Sequence, residues 1–301
     1  MKILFQQAHC QNNDRPKTIR PIKREQGGSM AKISQAHVSN INTWLRCRRQ
    51  FYYSQIKGIK SPPGIFAIQG TSVHKTIADN FTRVLVDGSL MSIPEIQDTA
   101  RDHFVHTLTY SEVIWTAEDV ERGISKLKGE ALDKSVAMST VHAKNIAPLI
   151  TPKAVEWKWV LVPQGFPFTL GGRMDLLAED MGEYAVWDAK TANKSKNQQE
   201  VDSSLQLTVY SLAAMKKLNL NYLPDVGYHV LVSTKKPKYQ VLTSRRSMHN
   251  VKLFLRLLEM FAESIEREDW SPCDPGAWQC SPKWCGYWNI CPWGARSRVT
   301  G

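Results

Sequence analysis

The chain has 301 residues, with 39 Lys and Arg against 28 Asp and Glu, for a formal net charge of +11. That length can bury a sizeable core as one large or two small domains, and no stretch is apolar for long enough to span a bilayer. Residues 1–5 turn polar too soon for a secretory signal, so a cytoplasmic location without a membrane partner is expected, and the positive field favours polyanionic ligands.

Residues 1–30 lack apolar periodicity and are rich in Gln, Asn, Lys and Arg, which reads as a mobile basic tail. From Ser39, the segment SNINTWLRCRRQFYY offers a Ser cap and helical spacing of Ile41 and Leu45. Further helical patterns follow over 70–85, 94–110 and 117–142, so residues 31–150 are expected to be a helical part. The period then changes to two. AVEWKWVLV, FTLGGRMDLLAE and YAVWDAK predict three consecutive antiparallel strands, separated by turn residues at 163–165 and 180–183. A helix over 199–218, the strand VGYHVLVS, a strand near 239–243 and a helix over 248–268 complete a predicted core spanning 151–270. Residues 271–301 form a Cys-rich segment, and 31–301 are expected to make one compact α/β domain with a mixed sheet.

A turn centred on residues 181–182 sets Asp175 opposite Asp188, because the two positions are symmetric about it. Alternation along a strand then places Asp188 and Lys190 on one face and Ala189 on the other. Two carboxylates beside an ammonium are costly to gather unless a cation joins them. Hard oxygen ligands suit Mg2+ or Mn2+, which can activate a water and stabilise charge building on a phosphate. A single Asp-x-Lys tripeptide is more often an ordinary surface hairpin, but Asp188 follows Val186-Trp187 in an apolar strand, where a carboxylate needs a partner.

GGRMDLLAED followed by YAVWDAKTA resembles the G-x-x-D and D-x-K elements of RecB-like PD-(D/E)XK nucleases, the group of CRISPR-associated and phage exonucleases. Two further elements stand in that family's order. Gly70-Thr-Ser-Val-His74 is similar to its upstream G-x-x-x-H, whose histidine joins the metal shell, and Gln206-Leu-Thr-Val-Tyr210 is similar to its Q-x-x-x-Y. The resemblance spans about residues 39–293. It implies a restriction-endonuclease-like core with the sheet flanked by helices, Mg2+ or Mn2+ on His74, Asp175 and Asp188, and Lys190 positioning the attacking water and neutralising the phosphate. Gln206 and Tyr210, four apart on a helix face, would orient Lys190, a ligand or the DNA strand, and Glu156 on the preceding strand would support the site from behind.

Six cysteines in a cytoplasmic chain argue for metal or catalysis over disulfides. Cys280-x4-Cys285-x5-Cys291 together with Cys47 resembles the split cysteine set of the family's iron-sulfur members, one before the nuclease core and three after it, which implies a 4Fe-4S cluster clasping the two ends of the chain. Zinc is the rival occupant, although the close C-x2-C pairs of zinc sites are absent. Cys273 could replace one of the four, and Cys10 in the tail is assigned no role.

Lys194, Lys196, Lys235, Lys236, Lys238, Arg245 and Arg246 could line a phosphate track, while solvated turn lysines are the plainer reading. Trp284, Tyr287, Trp288 and Trp293 are expected to pack around the cysteines rather than to stack on bases. The reaction expected is exonucleolytic hydrolysis of single-stranded DNA ends in recombination, repair or phage DNA processing, with a recombinase or helicase as the kind of partner this brings. Two alternatives are a non-catalytic DNA-binding accessory protein of the same fold and a zinc-stapled RNA-processing nuclease.

Overall fold

A computed structural model of the chain describes residues 5–7, 33–180 and 182–294. Most of the expected tail, Cys10 included, lies outside the described residues. Within it, Phe5–Gln7 (β1) pairs antiparallel with residues 161–163, a strand that the sequence reading did not expect. Three residues are too few to display a period.

Gln35–His37 (β2) leads directly into Val38–Arg46 (α1), whose cap is His37 and not the expected Ser39. The His37 amide donates to Asn40 Oδ1 at 2.8 Å, and its ring nitrogen Nδ1 bonds the Gly171 carbonyl at 2.8 Å, so one residue caps the helix and ties it to the sheet. Arg48–Phe51 (α2) continues into a π turn at Tyr52–Ile56. Three long helices then stack together: Ile65–Asp87 (α3), ended by Gly88 with φ +72°; Ile93–Thr109 (α4), opened by a Ser92/Glu95 capping box; and Ile124–Asn145 (α6). The expected helix over 117–142 is broken, because Gly123 at φ +90° ends a short Ala117–Arg122 (α5) before α6 begins.

Pro152–Pro163 (β3), Thr169–Asp180 (β4) and Glu183–Ala192 (β5) form the expected antiparallel meander. The expected helix over 199–218 is two, Gln198–Asp202 (α7) and Leu205–Lys217 (α8), since Ser204 stops the first run and caps the second through the Leu207 amide. Asp225–Val232 (β6) pairs parallel with β5, and Lys238–Ser244 (β7) pairs antiparallel with β6 before Met248–Glu266 (α9). The sheet runs β1-β3-β4-β5-β6-β7, with β2 parallel to the start of β4.

The sheet is covered on both faces. Val186, Val226, Tyr228 and Val230 pack with α1, α8 and α9 in the larger core, whereas Trp187, Ala189 and Leu231 pack with Val73, Ile77, Phe81 and Met138 of α3 and α6. This is the α/β architecture of a mixed sheet between helical layers. Two glycines permit close crossings: a Cβ at Gly172 would strike the Trp159 ring, and one at Gly227 would strike both the Trp187 ring and the Leu242 carbonyl. Because the Leu242 atom is backbone and cannot rotate away, Gly227→Ala is expected to destabilise the fold by about 1–3 kcal/mol through overpacking, measurable by urea denaturation.

Candidate active site and cysteine cavity

β4 has two different neighbours on one edge. β2 pairs with Thr169–Gly171 and β5 pairs from Leu176 onward, which leaves residues 172–175 between them as a gap. Asp175 and Asp188 are the next pair in register after Leu176 and Trp187, as the turn symmetry predicted, but the ladder stops there. The Ala189 amide donates instead to Asp175 Oδ2 at 3.0 Å. A second irregularity lies on the other side of Asp175. Glu156 of β3 has φ +50°, and alternation fails around it: Ala154 and Trp157 reach the larger core while Val155 reaches the smaller one. Met174, Leu176 and Leu177 of β4 show the matching shift. A non-glycine residue in the left-handed region costs of order 1–3 kcal/mol, and the one here lies across from Asp175 and lines the same cavity.

Into this opening α3 brings His74, with Nδ1 3.1 Å from Asp175 Oδ2. Gly70 makes the approach possible, since a Cβ there would come 3.0 Å from Thr191 Oγ1 of β5. Asp188 is 1% exposed, and Lys190 Nζ stands 2.6 Å from its Oδ2 and 5.6 Å above the Tyr228 ring. His74, Glu156, Asp175, Ala189 and Trp187 line one cavity between α3 and the sheet. Glu156 is ion-paired with Arg173.

Gln206 and Tyr210 do share a helix face, but they bond each other, Gln206 Nε2 donating to the Tyr210 oxygen at 2.9 Å. The Tyr210 hydroxyl in turn donates to the Arg173 carbonyl at 2.8 Å, inside the gap in β4. The pair therefore braces the strand that carries Asp175; it makes no hydrogen bond to Lys190.

Burial and the neighbouring Asp175 charge push the Asp188 carboxyl up to about 6. Burial opposes ionisation of Asp175 as well, yet the His74 hydrogen bond, the His74 and Lys190 charges and the Ala189 amide outweigh it and hold this carboxyl below its ordinary value. For Lys190, burial works against the ammonium and the two carboxylates more than offset it, so its pKa lies above the usual lysine value. Burial raises Glu156 and Tyr210, with the Asp175 charge adding to both. A divalent cation would relieve the like-charge strain on Asp188, and two carboxylates beside an imidazole are chemically suited to Mg2+ or Mn2+. Among the described residues no three such side chains already stand at the spacing of a closed metal shell, so the fit lies in donor chemistry and a shared cavity.

The cysteines converge from opposite ends of the chain. Arg48 is ion-paired with Asp269, the Arg49 amide bonds the Ser271 carbonyl at 3.1 Å, Tyr53 stacks on Tyr287 at 5.5 Å, and the Tyr287 hydroxyl reaches the Ile59 carbonyl at 3.0 Å. This clasp places Cys47, Cys273, Cys280, Cys285 and Cys291 around one cavity, so Cys273 joins the four expected residues. Burial and the adjacent Cys47 and Cys280 thiols push Cys273 up to about 12, and burial also raises Cys285. Five thiols around one cavity are a donor set that a cationic centre would stabilise as thiolates, although among the described residues no three of them already stand at the spacing of a closed metal shell.

Of the aromatic residues, Tyr287, Trp288 and Trp293 line the cysteine cavity as expected, while Trp284 packs edge-on against Trp278 and is 59% exposed. Arg246 is a correction: it is buried, with its guanidinium donating to the Val201 carbonyl and Ser244 Oγ, which holds α7 to β7 and removes it from any phosphate track. Arg245 pairs with Asp225 and Lys196 with Glu200.

The family model described as the PD-(D/E)XK nuclease superfamily matches residues 35–292. The chain belongs to this superfamily. Nucleases of this group generally use Mg2+ or Mn2+. Solved structures with a similar chain course include a candidate exonuclease from Eubacterium rectale, at 10% identity and TM-score 0.45 with 88% of each chain covered. The protein SSO0001 matches at 14% identity and TM-score 0.37, over 93% of this chain and 90% of its own. No curated protein sequence matches the chain. Among the described residues no helix is long and apolar enough to cross a membrane.

Proposed function

We propose that the chain is a metal-dependent DNA exonuclease acting on single-stranded ends in recombination, repair or phage DNA processing. The observation that carries this reading is the buried Asp188–Lys190 pair beside Asp175 and His74 at the break in β4. An ammonium fixed 2.6 Å from a carboxylate that burial disfavours is an expensive arrangement in a core, and phosphodiester hydrolysis gives it a use. His74, Asp175 and Asp188 would hold Mg2+ or Mn2+, which when bound supplies Lewis acidity and a water of lowered pKa. Lys190 keeps a positive charge beside Asp188, where it would orient the attacking water and offset charge on the phosphate. Tyr210 and Gln206 fix the Asp175 strand, and Glu156 holds Arg173 at its rim. The net charge of +11 favours a polyanionic substrate by long-range attraction.

At the second site, Cys47, Cys280, Cys285 and Cys291 are proposed to bind a 4Fe-4S cluster, with zinc as the rival occupant. Its task would be structural, joining α1 and α2 to the segment after α9.

The test is nucleotide release from end-labelled single- and double-stranded DNA with Mg2+ or Mn2+, compared with Asp175→Ala. Release from single-stranded ends that the variant loses supports the proposal, and the order in which labelled products emerge gives the polarity. A wild-type chain that binds DNA and cuts it with neither metal is instead a non-catalytic DNA-binding protein, and the proposal fails.

A further inference from the structure

His229 lies on β6 opposite Ala189 of β5, on the face covered by α3, and it lines the same cavity as His74, Glu156 and Asp175. It is 1% exposed, and its Nε2 has no hydrogen-bond partner. Its other nitrogen, Nδ1, is 3.4 Å from Nε2 of His142, a second fully buried histidine reached from α6. Trp187 stacks on the His229 ring at 4.6 Å, and Phe81 meets the His142 ring edge-on at 5.6 Å, so both imidazoles are held in place.

A buried ring nitrogen without a partner is disfavoured enough that the arrangement asks for a ligand. The tautomer supplies the direction. A neutral imidazole carries one proton; if Nδ1–H of His229 donates to His142, Nε2 presents a lone pair to the cavity. That is the configuration of a metal-bound histidine, whose second nitrogen donates to an outer partner that fixes ring orientation and tautomer. A core histidine satisfied by His142 alone would leave Nε2 unpaired, whereas a cation beside His74 and Asp175 completes it.

We infer that His229 is a second imidazole donor to a divalent cation held in this cavity by His74 and Asp175, and that His142 is the positioning residue behind it. The inference rests on the metal-site reading above and extends it. Two nitrogen donors move the site away from Mg2+, which favours oxygen, toward Mn2+, which accepts imidazole more readily.

The experiment is pulsed electron paramagnetic resonance of the full chain loaded with Mn2+, counting imidazole nitrogens coupled to the metal. The wild type is expected to show two, with one remaining in His229→Phe and one in His74→Ala. Mn2+ affinity should fall by at least about tenfold in His229→Phe, and by a similar factor in His142→Phe, where His229 is kept but loses its outer partner. A wild-type spectrum with a single coupled imidazole, lost only in His74→Ala, overturns the inference and leaves the metal site standing. Failure of the wild-type chain to bind Mn2+ at all removes both. The wild-type count decides the matter even if a variant fails to fold.

Discussion

Asp188→Asn is expected to lower the rate of DNA cleavage by about 10³-fold or more while raising the melting temperature of the metal-free protein by several degrees. The first effect follows from removing a metal ligand: stabilisation of the phosphoryl transition state by a bound cation is worth several kcal/mol, and each 1.36 kcal/mol is tenfold in rate. The second follows from titration. The Asp188 carboxyl sits near 6 in the folded chain against an ordinary value of 3.8. Between those pH values the folded state keeps a proton that the unfolded state has released, so stability is highest at the acid end and declines as pH rises through the window. At pH 7 the carboxylate is ionised in a site that disfavours it. Asparagine keeps the shape without the charge, so its melting temperature should exceed the wild type's at pH 7 and converge with it near pH 4. Lys190 is not stranded by the change, because its side chain is 30% exposed and the Asp175 charge remains. Melting curves in EDTA from pH 3.5 to 7.5 check the slope, and the nuclease assay checks the rate. A variant that is less stable at pH 7, or that cuts as fast as wild type, would contradict the strained-ligand account.

The residues that carry this argument were legible in the sequence because their placement depends on strand alternation and a short turn. Asp175, Asp188 and Lys190 needed only the period of two and the symmetry about residues 181–182, and His74 needed only family order. What was not legible depends on contacts between distant segments. Glu156 looked like one more strand residue, since nothing local announces a positive φ; its conformation is imposed where β3 and β4 shift together beside Asp175. His229 stood inside the apolar run VGYHVLVS as an ordinary buried position, and its proximity to His142 joins residues 87 apart in sequence. β1 and β2 are three residues each, shorter than any detectable period, and β2 forms because β5 leaves that part of β4 unpaired. The Gln206 and Tyr210 spacing was read correctly as one helix face, but their partner, the Arg173 carbonyl, became visible only with the gap in β4.

The cysteine cavity gives the other large effect. Cys47→Ser or Cys285→Ser is expected to abolish iron and sulfide binding and to lower the melting temperature of the anaerobically prepared protein by roughly 6 °C, the shift that a loss of about 4 kcal/mol produces in a domain of this size. The magnitude rests on what the site joins. Cys47 lies between α1 and α2, the other four follow α9, and besides the thiols the junction is held by the Arg48–Asp269 pair, one backbone hydrogen bond from Arg49, the stacking of Tyr53 on Tyr287, and the packing of Phe51 and Tyr52 on Trp270. Partly exposed ion pairs contribute little, so a multiply ligated centre would add to the aromatic packing as a main source of closure. Cys273→Ser separates the fifth thiol from the set: if Cys47, Cys280, Cys285 and Cys291 are the ligands, this variant keeps the cluster and its visible absorption. Loss of the cluster in Cys273→Ser with retention in Cys280→Ser would exchange those two assignments. Stoichiometric zinc with no iron or sulfide in anaerobic wild-type protein would give the cavity to the rival metal, leaving the same clasp with a different ion at its centre.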